Sequence, residues 1–588
     1  MVANPYQYTR NPLVIAEIVG LVIENVDMVP DLLNCACVNS IWTEPALRKL
    51  YRGSLNDMQF RTPGIDSLNC LLVASPGRFA RNMSFVKHLL LAPEYPSRGC
   101  GNSSCRPLCF DVCRAMRSRA LAELLLRTQP RGFTSLMIPF EMAHHGLELF
   151  SDHLGQETVE VVAINCTDLT RIICYPELGS PAGDFPNLKA LTVYISEDDP
   201  ELGGLSRLLR TRDLQFIHLE EWIGPHTMRH NYRVLSGKLL PYIRAHQSLR
   251  ALVLDLAGCG NPLPEEGEEE ELLWPRLKAL YLHCADDQWL LQLFKFKELQ
   301  IFKLLGRRFA SSFDNSRFRT AAVAKCKHLR VVEIPILSLF DHNDKNHGMN
   351  FLMDIVRGCP LLQRLSLPWV TGYFTRKMKE PLLFDLLSVL PRLEVLELVM
   401  DFWVYGTELQ DLAHHCPRLT FLDLNGAKLY VSLAQMSGTL PFRQLEFVRF
   451  KQILFKKPGY LMQEANFQTL ATEWSRIFPK LRTIPCLAEF ELDNDPSDGS
   501  EEDGASVRGD EKPSFPDADD DGTNSDWQSV RSKLWEALSY VEADEYASEK
   551  FQHMWQTNFE IETIGWPVLS SEAFTYTWPH SFPPRGYC

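Results

Sequence analysis

Four cysteines lie close together in the chain, Cys100, Cys105, Cys109 and Cys113, with four, three and three residues between them. Four thiolates can hold a zinc ion tetrahedrally. The spacing, however, is not the paired C-x-x-C arrangement, and in a helix Cys105, Cys109 and Cys113 would share one face. Buried structural cysteines acting as small hydrophobes are the favoured reading. Two histidine pairs, His144-His145 and His414-His415, sit near expected helix ends and read as surface or capping residues. No phosphate-binding glycine loop, nucleophile elbow or H-e-x-x-H zinc motif occurs. No metal, no cofactor and no catalytic residue is assigned, and a non-catalytic protein is expected.

The elements that would position any site must fit 588 residues, more than a single core normally serves, so several domains or a repeat array are expected. Apolar residues make up 45% and charged residues 23%, ordinary for a globular chain. The formal net charge of −14 is uneven: residues 493–526 hold 13 acidic residues against Arg508 and Lys512. A second run, residues 265–271, holds six glutamates. No basic stripe marks a nucleic-acid partner. The apolar run 13–23 is broken by Glu17, so neither a signal peptide nor a membrane span is expected. The 16 cysteines form no dense framework, and a reducing compartment, cytoplasmic or nuclear, is expected.

Sequence character divides the chain into an extension (1–10), a helical segment (11–52) and an irregular stretch with the cysteine cluster (53–140). A repeat region (141–492), an acidic linker (493–526) and an aromatic-rich C-terminal cap (527–588) follow. The acidic linker reads as solvated, or alternatively as a mobile loop that attracts basic partners.

The repeating unit is Leu-x-x-Leu-x-Leu. Good copies start at Leu188, Leu249, Leu277, Leu299, Leu329, Leu362, Leu393, Leu419 and Leu445, and weaker ones at Val86, Phe133, Val159, Leu214 and Leu481. From Val159 onward the starts are 22 to 36 residues apart, around the leucine-rich-repeat period. Alternate residues of a strand face one side, so positions four and six point into a common core. Stacked units would line a parallel sheet, with helices such as the Phe351–Val356 stretch returning the chain on the other side. Proline two residues before the first leucine (Pro186, Pro275, Pro360, Pro391, Pro417, Pro479) is expected to stop each helix. The expected fold is an α/β leucine-rich-repeat solenoid, a curved parallel sheet with helices on its convex side, preceded by three small helices.

In the N-terminal segment, Ile15, Ile18, Val22 and Val26 fall on one face of a first helix. Asp31 is a plausible N-cap for a second, whose apolar face carries Leu32, Cys35 and Val38 with Trp42 one turn on. A third helix is expected over residues 46–51. The order Glu17-Ile18, Asp31-Leu32-Leu33, Cys35, Val38, Trp42 resembles an F-box, and followed by leucine-rich repeats the whole chain looks like fungal-type F-box/leucine-rich-repeat proteins. The resemblance implies docking on the Skp adaptor of a cullin-based ubiquitin ligase through Pro12, Leu13, Ile15, Ile18, Leu32, Leu33, Val38 and Trp42. Val14-Ile15 stands where the family has Leu-Pro. A plain helical cap on the first repeat is the alternative.

Between the core leucines the concave sheet is expected to expose Tyr194, Phe216, His218, Tyr281, His283, Arg364, Phe421, Asp423, Phe447 and Arg449. Aromatic and Arg side chains on a rigid sheet are interface material; packing under loops is the alternative reading for each. The expected function is recruitment of a protein target to a ubiquitin ligase. The alternative is a repeat scaffold outside any ligase. The aromatic C-terminal stretch is expected to pack back on the last repeats or along the concave face.

Overall fold

Each Leu-x-x-Leu-x-Leu copy becomes a short strand because its three apolar residues are buried only when neighbouring copies lie side by side. The computed structural model describes Leu13 and residues 15–26, 28–53, 71, 74–90, 134–137, 171–174, 187–195, 209, 213–221, 233–255, 274–282, 293–304, 323–334, 350–367, 387–398, 403–431, 433–455, 464–481 and 547–568. The chain forms two units, residues 1–283 with 554–588, and residues 284–553.

The first unit opens with helices α1 (Ala16–Glu24), α2 (Val29–Val38), α3 (Ser40–Arg52) and α4 (Pro76–Met83). Strands β1 (His88–Leu90), β2 (Ser135–Met137), β3 (Arg171–Cys174), β4 (Ala190–Ile195) and β5 (Phe216–Glu221) follow. Helix α5 (Arg233–Arg244) then precedes β6 (Ala251–Asp255) and β7 (Ala279–Leu282). Each strand pairs in parallel with the next, and Ile172, Leu191, Ile217, Leu252 and Leu280 stand in one register.

The second unit contains β8 (Ile301–Leu304), β9 (Val331–Glu333), α6 (Asn350–Gly358), β10 (Arg364–Leu367), β11 (Val395–Leu398) and β12 (Trp403–Tyr405). It continues with α7 (Gly406–His415), β13 (Phe421–Val431), α8 (Leu433–Gly438), β14 (Phe447–Phe455) and α9 (Glu464–Ile477). Here Phe302, Val332, Leu365, Leu396, Leu422 and Val448 stand in register, again through parallel pairs. A last helix, α10 (Ala547–Ile564), belongs to the first unit from Met554 onward.

All three apolar positions of every copy from Leu188 to Leu445 are buried. Full burial of each such side chain contributes about 1.5–3 kcal/mol, so the row of leucines is the core of both units. The fold is the expected α/β leucine-rich-repeat solenoid.

Three expectations need correcting. The strand between β2 and β4 is β3, Arg171–Cys174, and it is bonded to both neighbours. The copy read at Val159 therefore does not fill that slot, and residues 159–164 lie outside the described residues. Strand β12 was not anticipated. It pairs with the far half of β13 at Lys428–Tyr430, while β11 pairs with the near half, so β11 and β12 lie end to end along one edge.

The prolines do more than stop helices. The amide of the first leucine donates to the carbonyl three residues earlier at His246, Trp274, Phe296, Cys326, Cys359, Leu390, Cys416, Phe442 and Phe478. This is a β-turn closed by an i to i+3 bond, and Pro275, Pro360, Pro391, Pro417 and Pro479 occupy its second position, where a fixed φ near −65° is favoured. The residue opening each turn is buried. The sulfurs of Cys359 and Cys416 lie 3.6 and 3.8 Å from carbonyls of the preceding repeat.

Candidate functional site

The N-terminal helices form a small core of Val19, Ile23, Leu32 and Ala46, with Val26, Val29, Cys35, Ala36, Ile41, Trp42 and Leu50 packed around it. The buried face of α1 is thus Val19 and Ile23, four residues apart. The expected face of Ile15, Ile18, Val22 and Val26 does not hold, since Val22 is exposed and Ile15 and Ile18 are half-buried. Helix α1 is apolar almost all round, so periodicity alone could not choose its face.

Capping also differs. Met28 holds the N-cap position of α2, and Asp31 lies in its first turn. Asn39 separates α2 from α3, and its Oδ1 accepts from the amides of Ile41 (2.9 Å) and Trp42 (3.3 Å). Helix α3 therefore begins at Ser40, well before the expected residue 46, and Trp42 belongs to it. Lys49 donates to the carbonyls of Ile23, Glu24 and Val26 at 3.2, 2.7 and 2.8 Å, closing the C-terminal end of α1 with a positive charge, the sign a helix dipole favours there. Trp42 Nε1 donates to the Leu13 carbonyl at 3.3 Å. Asn39 and Lys49 went unremarked in the sequence, although an Asn before an apolar run is a readable cap signal.

Of the expected docking residues, Leu32 is fully buried and packs the core, so it offers no docking surface. Leu13 is exposed, Leu33 is 52% exposed and Val38 is 61% exposed. Leu21, Val22 and Met28 are exposed as well. Pro12 lies outside the described residues. The three-helix element is fixed to the first repeat where the Lys87 amide donates to the Arg52 carbonyl at 2.9 Å. Gly53 follows with φ +76°, and a Cβ there would stand 2.6 Å from the His88 carbonyl oxygen, so the joint requires glycine.

The residues between the core leucines are buried, not open. Phe216, His218, Tyr281, Arg364, Phe421, Asp423 and Phe447 are all at most 2% exposed, and only Arg449 is partly accessible. The side chain of Tyr194 and all of His283 lie outside the described residues. Among the described residues these groups contact one another and, in the first unit, the C-terminal segment, so the expected open surface is not found there.

In the second unit the in-between positions form a charged row. Lys303 Nζ lies 3.0 Å from Glu333 Oε2, and Arg364 Nη2 lies 3.4 Å from the same oxygen and 3.9 Å from Glu397 Oε2. Ser366 Oγ donates to Glu397 Oε2 at 2.5 Å. Arg449 grips Asp423 with both Nε and Nη2, next to Phe421 and Phe447, whose rings stack at 4.4 Å. Burial pushes the Glu333 carboxyl up, but Lys303 and Arg364 outweigh it and hold it below its ordinary value. Burial raises the Glu397 carboxyl; the Ser366 hydroxyl and Arg364 oppose this, and Glu333 and Asp423 add to the rise. Burial also drives the thiols of Cys326, Cys359 and Cys416 up to about 12, which keeps them protonated.

In the first unit His218 Nε2 lies 3.2 Å from Glu220 Oε2, both buried. The Tyr281 hydroxyl donates to Glu560 Oε1 of α10 at 2.6 Å. Residues 554–568 thus lie over the last strands of the first unit, at β5 and β7. Residues 574–578 are outside the described residues, as are Cys100, Cys105, Cys109, Cys113, His144 and His145. His414 and His415 close α7, as expected. Among the described residues no group of three His, Cys, Asp or Glu is arranged to hold a metal, and no helix is long and apolar enough to cross a membrane.

No family model matches the sequence. Solved structures with similarity include the internalin inlF of Listeria monocytogenes, 12% identical over 49% of this chain and 88% of its own, with a TM-score of 0.25. The yeast Rad7–Elc1 complex is 12% identical over 66% of this chain and 92% of the matched one, at a TM-score of 0.28. The leucine-rich-repeat ectodomain of the plant receptor kinase GASSHO1/SCHENGEN3 from Arabidopsis thaliana is also 12% identical, over 62% and 42%, at 0.29. This chain is a leucine-rich-repeat protein by its own strand register, buried leucines and repeated turns.

Proposed function

We propose that the chain is a substrate-recognition subunit of a cullin-type ubiquitin ligase, with the three N-terminal helices docking a Skp-type adaptor and the repeats holding a protein target. The observation that carries this reading is a closed helical core, Val19, Ile23, Leu32 and Ala46, ringed by exposed large apolar side chains at Leu13, Met28, Leu33 and Val38. Apolar groups left in water around a complete core mark a surface meant for another protein. Their placement agrees with the F-box resemblance of residues 11–52. The protein itself does no covalent chemistry in this reading. It raises the concentration of the target beside the transfer machinery.

The second reading is a leucine-rich-repeat scaffold that joins no ligase, favoured by Val14-Ile15 standing in place of Leu-Pro. Co-purification of the full chain with a Skp-type adaptor separates the two. The wild type is expected to retain the adaptor, and the double variant Leu33→Asp, Val38→Asp to lose it with an unchanged melting temperature, because both positions are exposed. A wild type that retains no adaptor would leave the scaffold reading standing.

A further inference from the structure

Strands β4 to β7 present two rows between their core residues. One is Ala190, Phe216, Ala251 and Ala279, and the other is Thr192, His218, Val253 and Tyr281. Three of the four members of the first row are alanine, so the floor is low on both sides of Phe216. The equivalent row of the second unit, Ile301, Val331, Arg364, Val395, Phe421 and Phe447, is bulky throughout.

The C-terminal segment lies over this low floor. Tyr281 donates to Glu560 Oε1, Lys278 Nζ donates to the Thr563 carbonyl at 3.3 Å, and the ring of Trp566 stands 6.2 Å from that of Phe216. Lys278 meets the last turn of α10, where a cation is favoured. Glu560 is only 1% exposed, and it also accepts from Gln556 Nε2 and the Val568 amide, both at 2.7 Å. With Thr557 and Thr563, it sets three polar groups beside the apolar Phe559 and Ile564 on the buried side of this segment. A contact that mixes polar and apolar groups has the make-up of exchangeable interfaces within a chain, which are more polar than obligate ones.

We propose that strands β5 to β7 form a recognition site for a helical segment that carries a carboxylate and, six residues later, an aromatic ring, and that residues 554–568 of this chain occupy it as an exchangeable stand-in. The Tyr281 hydroxyl selects the carboxylate, and Phe216 selects the ring. The site rests on the target-binding reading above for the role of its incoming occupant. The physical claim, that the segment detaches and can be replaced, stands without it.

Hydrogen exchange on the full chain, with a labelled synthetic peptide of residues 547–568 as probe, tests the proposal. In Tyr281→Phe the amides of residues 556–564 are expected to exchange about tenfold faster than in the wild type, the scale of one lost hydrogen bond to a charged group, with β6 and β7 unchanged. The Trp566→Ala chain is expected to bind the wild-type peptide in trans, and a Glu560→Gln peptide about tenfold more weakly. If α10 and the strands exchange at one common rate, or if the Trp566→Ala chain ignores the peptide, the segment is a fixed part of the core and the proposal fails. Adaptor retention is a separate readout, so failure here and failure of the ligase reading are told apart.

Discussion

At Glu397 three carboxylates and one arginine meet on the buried sheet face of the second unit. Its raised carboxyl binds a proton more tightly folded than unfolded, so its contribution to stability is present at acid pH and is lost as pH climbs through its folded value. Glu333 has the opposite sign. Its lowered carboxyl stabilises above the unfolded carboxylate range, and the contribution is lost as pH falls through the folded value. Glu397→Gln is therefore expected to raise the melting temperature at pH 7 and to have a shrinking effect as pH approaches 4.5, because the amide oxygen can still accept from Ser366. Thermal melts of both proteins across that range check it, and a variant less stable at pH 7 than at acid pH, relative to the wild type, would contradict the assignment. None of this was legible in the sequence. The in-between positions were readable as sharing a face with Arg364 and Asp423, but their pairing into one closed row depends on register between repeats some 30 residues apart.

Among the elements, the strands were the most legible, because each repeat announces itself with three apolar residues that must all be buried. The N-terminal helices were harder. Helix α1 carries apolar side chains on every face, and the choice of Val19 and Ile23 is made by Leu32 and Ala46 on its neighbours. Strand β3 was missed because Arg171–Cys174 is short and starts beside a charge, whereas the more apolar residues 159–164 drew the assignment. The turns explain why proline recurs. A residue with fixed φ suits the second turn position, and the same requirement returns with every repeat. The junction between α2 and α3 is held by the Asn39 cap and by Thr43 Oγ1, which donates to the Ala36 carbonyl at 2.8 Å. Asn39→Ala is expected to cost about 1 kcal/mol, the usual worth of an N-cap, measured as a lower urea midpoint with an unchanged slope.

For the whole molecule, the repeated turn sets the register of the repeats. Because Cys326 and Cys359 open identical turns, removing residues 326–358 joins two equivalent points of the chain. That deletion is expected to leave a folded protein with a lower melting temperature, while deletion of only residues 326–341 joins inequivalent points of the repeat and is expected to aggregate. Circular dichroism and gel filtration compare them, and equal behaviour of the two would show that the turn-to-turn spacing does not set the register. The joint at Gly53 has a mechanical consequence. The end of α3 is bonded to Lys87 just before β1, and the glycine backbone is pressed against His88, so force applied to the three helices reaches β1 through this bonded joint. A pull on that end breaks the single Lys87–Arg52 bond before it loads the β1–β2 pair.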